Sequence, residues 1–139
     1  MAHFGIEFDN LILAEGGYVN DPDDAGGETY LGISRKHHPY SNIWEDIDKY
    51  KIKYNKKELN KQLKANTDIT SRIANLYKND YWDVFELDDV LNQKIAHQIF
   101  DDAVNRGITA ATRLAEHIMG MTVTGKITKE LLFNLKRYA

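Results

Sequence analysis

The sequence contains no cysteine, which excludes disulfides, thiolate metal sites and a cysteine nucleophile. It contains no apolar run near the roughly eighteen residues that a membrane-spanning helix needs. The first residues, Met1-Ala2-His3-Phe4-Gly5-Ile6-Glu7, lack the basic start and apolar stretch of a secretory signal. The expectation is therefore synthesis in the cytoplasm and release by a non-classical route. Positive charge is not in excess either: 18 Lys and Arg stand against 21 Asp and Glu, a net charge of −3. That argues against nucleic-acid binding, which usually shows a basic face, and gives no bulk attraction to an anionic surface. His37-His38, His97 and His117 share no i, i+4 spacing, so neither a metal site nor a cofactor is expected. Alternating strand patterns are nearly missing.

What the 139 residues do contain is helical periodicity and a composition ordinary for one domain, 42% hydrophobic and 28% charged. Phe8, Leu11, Ile12 and Glu15 follow the i, i+3, i+4, i+7 rule and predict a helix over 5–15, stopped by Gly16 and Gly17. Asn42 and Glu45 form a capping box before Ile43, Trp44, Ile47 and Tyr50. The lysine-rich stretch 51–64 reads as a solvated helix or helix–loop, and Asp68 as the cap of a helix running through Ile73 and Tyr77 to Tyr81. Leu91, Ile95, Ile99, Phe100 and Val104 make the best apolar stripe, ending at Gly107. Thr109 and Thr128 are expected to cap the last two helices. The prediction is an all-α single domain over 1–139, with a small β-hairpin in the 17–32 loop.

One segment departs from this plainness. "EGGYVNDPDDAGGETYLGI", residues 15–33, holds five of the nine glycines and one of the two prolines, with Asp21, Asp23, Asp24 and Glu28 among them. Glycine and proline serve turns, but turns do not call for so many acids beside Thr29 and Tyr30. Glu15 sits on the apolar side of the first helix at its C-terminal end, where the helix dipole disfavours ionisation and burial would act the same way. A glutamate kept protonated is suited to general acid work; the plain alternative is a solvated residue in the last turn.

This segment resembles the opening motif of glycoside hydrolase family 108, small helical N-acetylmuramidases of phage and bacteria once described as secretion activators. The similarity continues in Tyr81-Trp82, in Phe100-Asp101 with Ala103-Val104-Asn105-Arg106-Gly107, and in Gly120–Thr128, which is similar to the family's C-terminal peptidoglycan-binding-like segment. The resemblance implies a compact lysozyme-like fold, with 1–82 as the catalytic part and 83–139 as a helical C-terminal part. It implies that Glu15 is the catalytic acid, that glycan strands of peptidoglycan lie across the loop, and that the protein acts as an endolysin released through a holin. Asp24, nine residues after Glu15, then orients water or stabilises an oxocarbenium-like transition state, or else holds the loop as an Asx-turn. Tyr18, Glu28, Thr29 and Tyr30 become saccharide contacts, Tyr30 by stacking on a pyranose. Asn105 either binds substrate or tethers a loop.

Three positions depart from the family pattern. Leu31 stands where an aromatic is usual, Thr124-Gly125 stands where Asp-Gly is common, and the sequence stops at Ala139, before a terminal tail carrying a Gly-Trp pair. The rival to an enzyme is a non-catalytic peptidoglycan-binding module that keeps the same fold.

Overall fold

In the computed structural model, which describes residues 1–21, 23 and 27–139 and only the backbone of Glu15, the first apolar periodicity becomes helix α1 (Phe4–Glu15). It ends as Gly16 takes a left-handed φ of 72° and returns its N–H to the Ile12 carbonyl at 3.4 Å, a conformation glycine adopts at little cost. The expected hairpin follows and is extended by one strand. β1 (Tyr18–Asn20), β2 (Glu28–Tyr30) and β3 (Ile33–Ser34) form an antiparallel sheet in the order β1-β2-β3. Tyr18 faces Tyr30, Val19 faces Thr29, Asn20 faces Glu28, and Tyr30 faces Ile33. Because side chains alternate along a strand, Tyr18, Asn20, Glu28, Tyr30 and Ile33 share one face, and Val19, Thr29 and Ser34 the other.

The β2–β3 turn is unusual in its residues. Leu31 and Gly32 both have positive φ, 49° and 82°, as a type I′ turn requires. A left-handed leucine costs roughly 1–2 kcal/mol. Leu31 is only 2% exposed, and burying a leucine side chain contributes about 1.5–3 kcal/mol, enough to offset the strain. The residue that breaks the family's aromatic pattern is therefore a core residue held in a turn.

Contacts group the chain into two compact units, residues 9–75 and residues 1–8 with 76–139. In the first, the sheet is joined by α2 (Ile43–Lys53), α3 (Lys56–Ala65) and most of α4 (Thr67–Tyr77). Tyr30, Ile33, Trp44, Ile47, Leu63, Ile69 and Ile73 are buried there. The lysine-rich stretch 51–64 covers the end of α2, a break at Tyr54-Asn55 and α3, and in α3 Leu59 and Leu63 at i, i+4 spacing form a buried edge.

Two caps need correction in this unit. Asn42 makes no side-chain cap bond; its carbonyl and Oδ1 instead accept from Arg72 Nη1 at 3.3 and 3.2 Å. Helix α4 is capped not by Asp68 but by Asn66, whose Oδ1 accepts from Ile69 N at 3.0 Å. Asp68 lies inside the first turn and pairs with Arg72 at 2.9 Å.

The second unit carries α5 (Gln93–Arg106), α6 (Ile108–Ile118) and α7 (Lys129–Arg137). Tyr81 is not on α4: a π-helical turn, Lys78–Trp82, follows Tyr77 and leaves Trp82 fully buried. Phe4, Trp82 and Phe100 meet edge to face at 5.5–5.8 Å between centroids, the arrangement that aromatic quadrupoles favour. Leu91 lies before α5, 55% exposed, and Asn92 caps that helix through Ile95 N at 3.2 Å. Thr109 is inside α6, which starts directly from Gly107. Thr128 caps α7 as expected, accepting from Leu131 N at 3.1 Å.

The stripe on α5 is buried at Ile95, Ile99, Phe100 and Ala103, with Val104 half-buried. Phe100→Ala removes the ring shared by the aromatic cluster and should cost about 3–5 kcal/mol of stability, measured by denaturant unfolding. A loss under about 1 kcal/mol, as at exposed sites, would show that this face is not the core.

Candidate active site

The described part of the 15–33 segment is organised by one carboxylate. Glu28, on β2, accepts from Lys51 Nζ at 2.7 Å and from Tyr18 OH at one oxygen, and from Arg35 Nη1 at 2.8 Å at the other. Arg35 also grips Asp48 with two parallel bonds of 2.8 Å, the planar fork geometry that distinguishes arginine from lysine. The Arg35 guanidinium lies 5.4 Å from the centre of the Trp44 ring, and Lys51 Nζ 5.7 Å from that of Tyr18. Strand β2 is thereby fastened to α2 through residues from three separate elements.

The electrostatics follow from these partners. Burial alone pushes the Glu28 carboxyl up, but the bonds from Lys51, Tyr18 and Arg35 outweigh it and hold the group below the usual glutamate range. The Arg35 fork lowers Asp48, and the bond to Glu28 raises Lys51. Burial, reinforced by the Glu28 bond, raises Tyr18. Glu28 is thus an ionised acceptor with both oxygens occupied, a group that positions rather than one that gives up a proton.

The other expected site residues fall as follows. Tyr18 is half-buried, its ring beside Lys51 and its N–H donating to Asn60 Oδ1 at 2.6 Å. Thr29 is half-buried on the sheet face opposite Glu28. Tyr30 is 0% exposed and offers no ring face to a sugar; its hydroxyl has no hydrogen-bond partner among the described residues, and burial pushes it up to about 12. Asp24 and the side chain of Glu15 lie outside the described residues. The Asx-turn seen in the loop belongs to Asp21, whose Oδ1 accepts from Asp23 N at 2.9 Å. Asn105 is exposed in the other unit and donates to the Asp101 carbonyl at 2.9 Å and carboxylate at 3.2 Å on its own helix.

The sequence pattern of the family described as Glycosyl hydrolase 108 matches residues 8–107, well over half of the chain. The chain belongs to this family. Among solved structures it is similar to "Structure of Brucella abortus SagA", at 26% sequence identity and a TM-score of 0.63, covering 98% of this chain and 70% of that one. No curated protein matches it. Membership in the glycosyl hydrolase 108 family makes this a glycoside hydrolase and supports a peptidoglycan hydrolase at the level of the family.

The family match ends before α6. The segment beyond it contains a carboxylate held much as Glu28 is. Glu116 is 2% exposed and accepts from Thr124 N at 2.9 Å, Gly125 N at 2.7 Å and Thr124 Oγ1 at 2.8 Å. Burial pushes Glu116 up, and these bonds outweigh it and lower it. The Thr124-Gly125 pair that departs from the family's Asp-Gly is therefore the donor pair of this clasp. It borders a cavity of about 430 Å³ that also takes in Met119, Met121, Thr128 and Asn134.

Arg35, Asp48, Lys51 and Asn60 were not foreseen as site residues. Asp48 and Lys51 carried a faint signal, an i, i+3 pair of opposite charge on one helix. Arg35 and Asn60 carried none, because their partners come from elsewhere in the chain.

Glu28 has a folded pKa below its ordinary value of 4.5. Its contribution is therefore complete above that value and is lost as pH falls through the lower, folded one. Thermal melts of the wild type should drop in midpoint over the acid range below about pH 4.5, and Glu28→Gln should show a distinctly shallower drop. An unchanged acid slope in the variant would mean that Glu28 is not ionised in the fold.

Proposed function

We propose that this family member is an N-acetylmuramidase that hydrolyses the β-1,4 bond between N-acetylmuramic acid and N-acetylglucosamine, with Glu15 as general acid. The observation that carries the reading is the position of Glu15: the last residue of α1, inside the family-matched segment, followed by the glycine stop and the sheet. A carboxyl at a helix C-terminus meets the negative end of the dipole, which favours the protonated form that a leaving-group oxygen requires. Glu28, the acid of the same motif that is ionised with both oxygens occupied, is unsuited to that role. Asp24 is the proposed second carboxylate, orienting water or stabilising the oxocarbenium-like transition state from the loop between β1 and β2. Tyr18 and Thr29 are the proposed saccharide contacts, while Glu28 and Tyr30 support the sheet from its buried face. The biological setting proposed is that of an endolysin reaching the wall through a holin or another non-classical exit.

Glu15→Gln keeps the shape of the side chain and removes the proton donor, so lysis of purified peptidoglycan should disappear while the helical spectrum and melting temperature stay unchanged. Substantial residual lysis would put the acid elsewhere. Wall binding by the wild type without any release of sugar would favour the non-catalytic binding module.

The products separate hydrolysis from intramolecular transfer. A hydrolase yields ordinary reducing-end muropeptides, and Asp24→Asn should slow it by about 10²-fold or more, the range of positioned acid–base groups. Mass spectrometry showing mostly 1,6-anhydro ends would mean that the muramyl 6-hydroxyl, not water, attacks the anomeric carbon. Wild-type rates for Asp24→Asn would remove that residue from the mechanism.

A further inference from the structure

We propose that the cavity between β1 and α3 is a subsite for a carboxylate carried on a muramyl unit, with Lys56 as its cationic partner; this rests on the muramidase reading above. The cavity measures about 300 Å³ and is lined by Tyr18, Asn20, Lys56, Leu59 and Asn60. That size lies at the lower end of small-ligand sites, which run from about 300 Å³ to 1,000 Å³. Tyr18 is three residues beyond Glu15, so their backbones lie within about 10 Å of one another even at full extension.

The lining is pre-organised on one side and unoccupied on the other. Asn60 Oδ1 holds the Tyr18 N–H. Gly17 comes so close to Asn60 that a Cβ there would overlap Oδ1 and stand 2.8 Å from Cγ. The Tyr18 hydroxyl is held by Glu28. By contrast, neither Lys56 nor Asn20 has a side-chain partner among the described residues. The nearby cations differ: Lys51 pairs with Glu28, and Lys53 lies over the Tyr54 ring. Seven lysines fall between positions 49 and 64 against one acid, Glu58, so this segment brings local positive charge although the whole chain carries a net −3.

The chemistry that fits is an anion beside a small apolar group and an amide. Lys56 supplies the charge, Asn20 and Asn60 polar side chains, and Leu59 with the Tyr18 ring an apolar wall. A muramyl unit carries a lactyl methyl and carboxyl that N-acetylglucosamine lacks; in intact wall that carboxyl is amide-linked to a stem peptide, which brings carboxylates of its own. Either source presents the same carboxylate chemistry to Lys56. The subsite would therefore distinguish the two alternating sugars and set the register of the strand over Glu15.

The test uses the full chain with Glu15→Gln, so that binding is read without turnover. Three probes are titrated by calorimetry: a peptide-free oligosaccharide of alternating N-acetylglucosamine and N-acetylmuramic acid, the same oligosaccharide bearing stem peptides, and a chitin oligosaccharide of equal length. Adding Lys56→Ala should weaken at least one muramyl probe by about 10-fold or more, the size expected for a hydrogen bond to a charged group, and leave chitin binding unchanged. Loss with the peptide-free probe assigns the lactyl carboxylate, and loss only with the peptide-bearing probe assigns the stem. Lys56→Arg should retain binding, and Lys57→Ala should match the parent. No binding of muramyl probes by the parent, equal binding with Lys56→Ala, equal weakening of chitin, or the same loss with Lys57→Ala would each overturn the subsite. Failure of the wild type to cleave peptidoglycan would overturn the muramidase reading while leaving these binding results to stand.

Discussion

The sheet depends on the Glu28 carboxylate. Strands of two and three residues cannot hold themselves together in water, and the segment between β1 and β2 begins with the further acids Asp21 and Asp23. Glu28 draws Lys51, Arg35 and Tyr18 onto one point of β2, and Arg35 carries the connection to Asp48. Each ion pair alone is partly exposed, with cation side chains 34–38% accessible, and an isolated surface pair of that kind contributes little. Their value lies in convergence on a carboxylate that is only 11% accessible, where the arrangement fixes geometry as well as energy.

Among the described residues, three glutamates are buried or nearly so, and each is satisfied differently. Glu28 takes cations and a phenol, Glu116 takes backbone N–H groups and a hydroxyl, and Glu7 takes Gln93 Nε2 at 2.7 Å and His97 Nδ1 at 2.5 Å. Donors around a carboxylate stabilise its charged form. Glu28 and Glu116 are held below the usual glutamate range, which makes these two good fasteners and poor proton donors.

Much of the helical plan was legible because it rests on local periodicity: α1, the stripe on α5 and the Thr128 cap were all readable from residue spacing. The failures were at caps, where several side chains compete. Asn42 looked like a cap and serves Arg72; Asp68 looked like a cap and lies within the first turn, because Asn66 is better placed. The buried edge of α3 was visible only as Leu59 and Leu63 among four lysines, and composition masked it. At the site, the motif around Glu15 announced itself through an unusual concentration of glycines and acids. The Arg35–Glu28–Lys51 arrangement did not, because it exists only once α2 lies beside β2. Leu31 was the least legible: no propensity rule puts a leucine in a left-handed turn, and only its burial explains it.

The bond from the Tyr18 N–H to Asn60 has a consequence for how the protein behaves among its own copies. β1 is the outer strand on one side of the sheet, and an outer strand exposes backbone groups that invite another chain to add to it. Here a side-chain amide occupies the outward N–H, and Gly17 lets α3 come close enough to cover that stretch of backbone. At the Tyr18 end of β1, a side chain of α3 stands where a fourth strand's carbonyl would otherwise pair. The same contact that shapes the cavity therefore closes one route to strand-on-strand self-association.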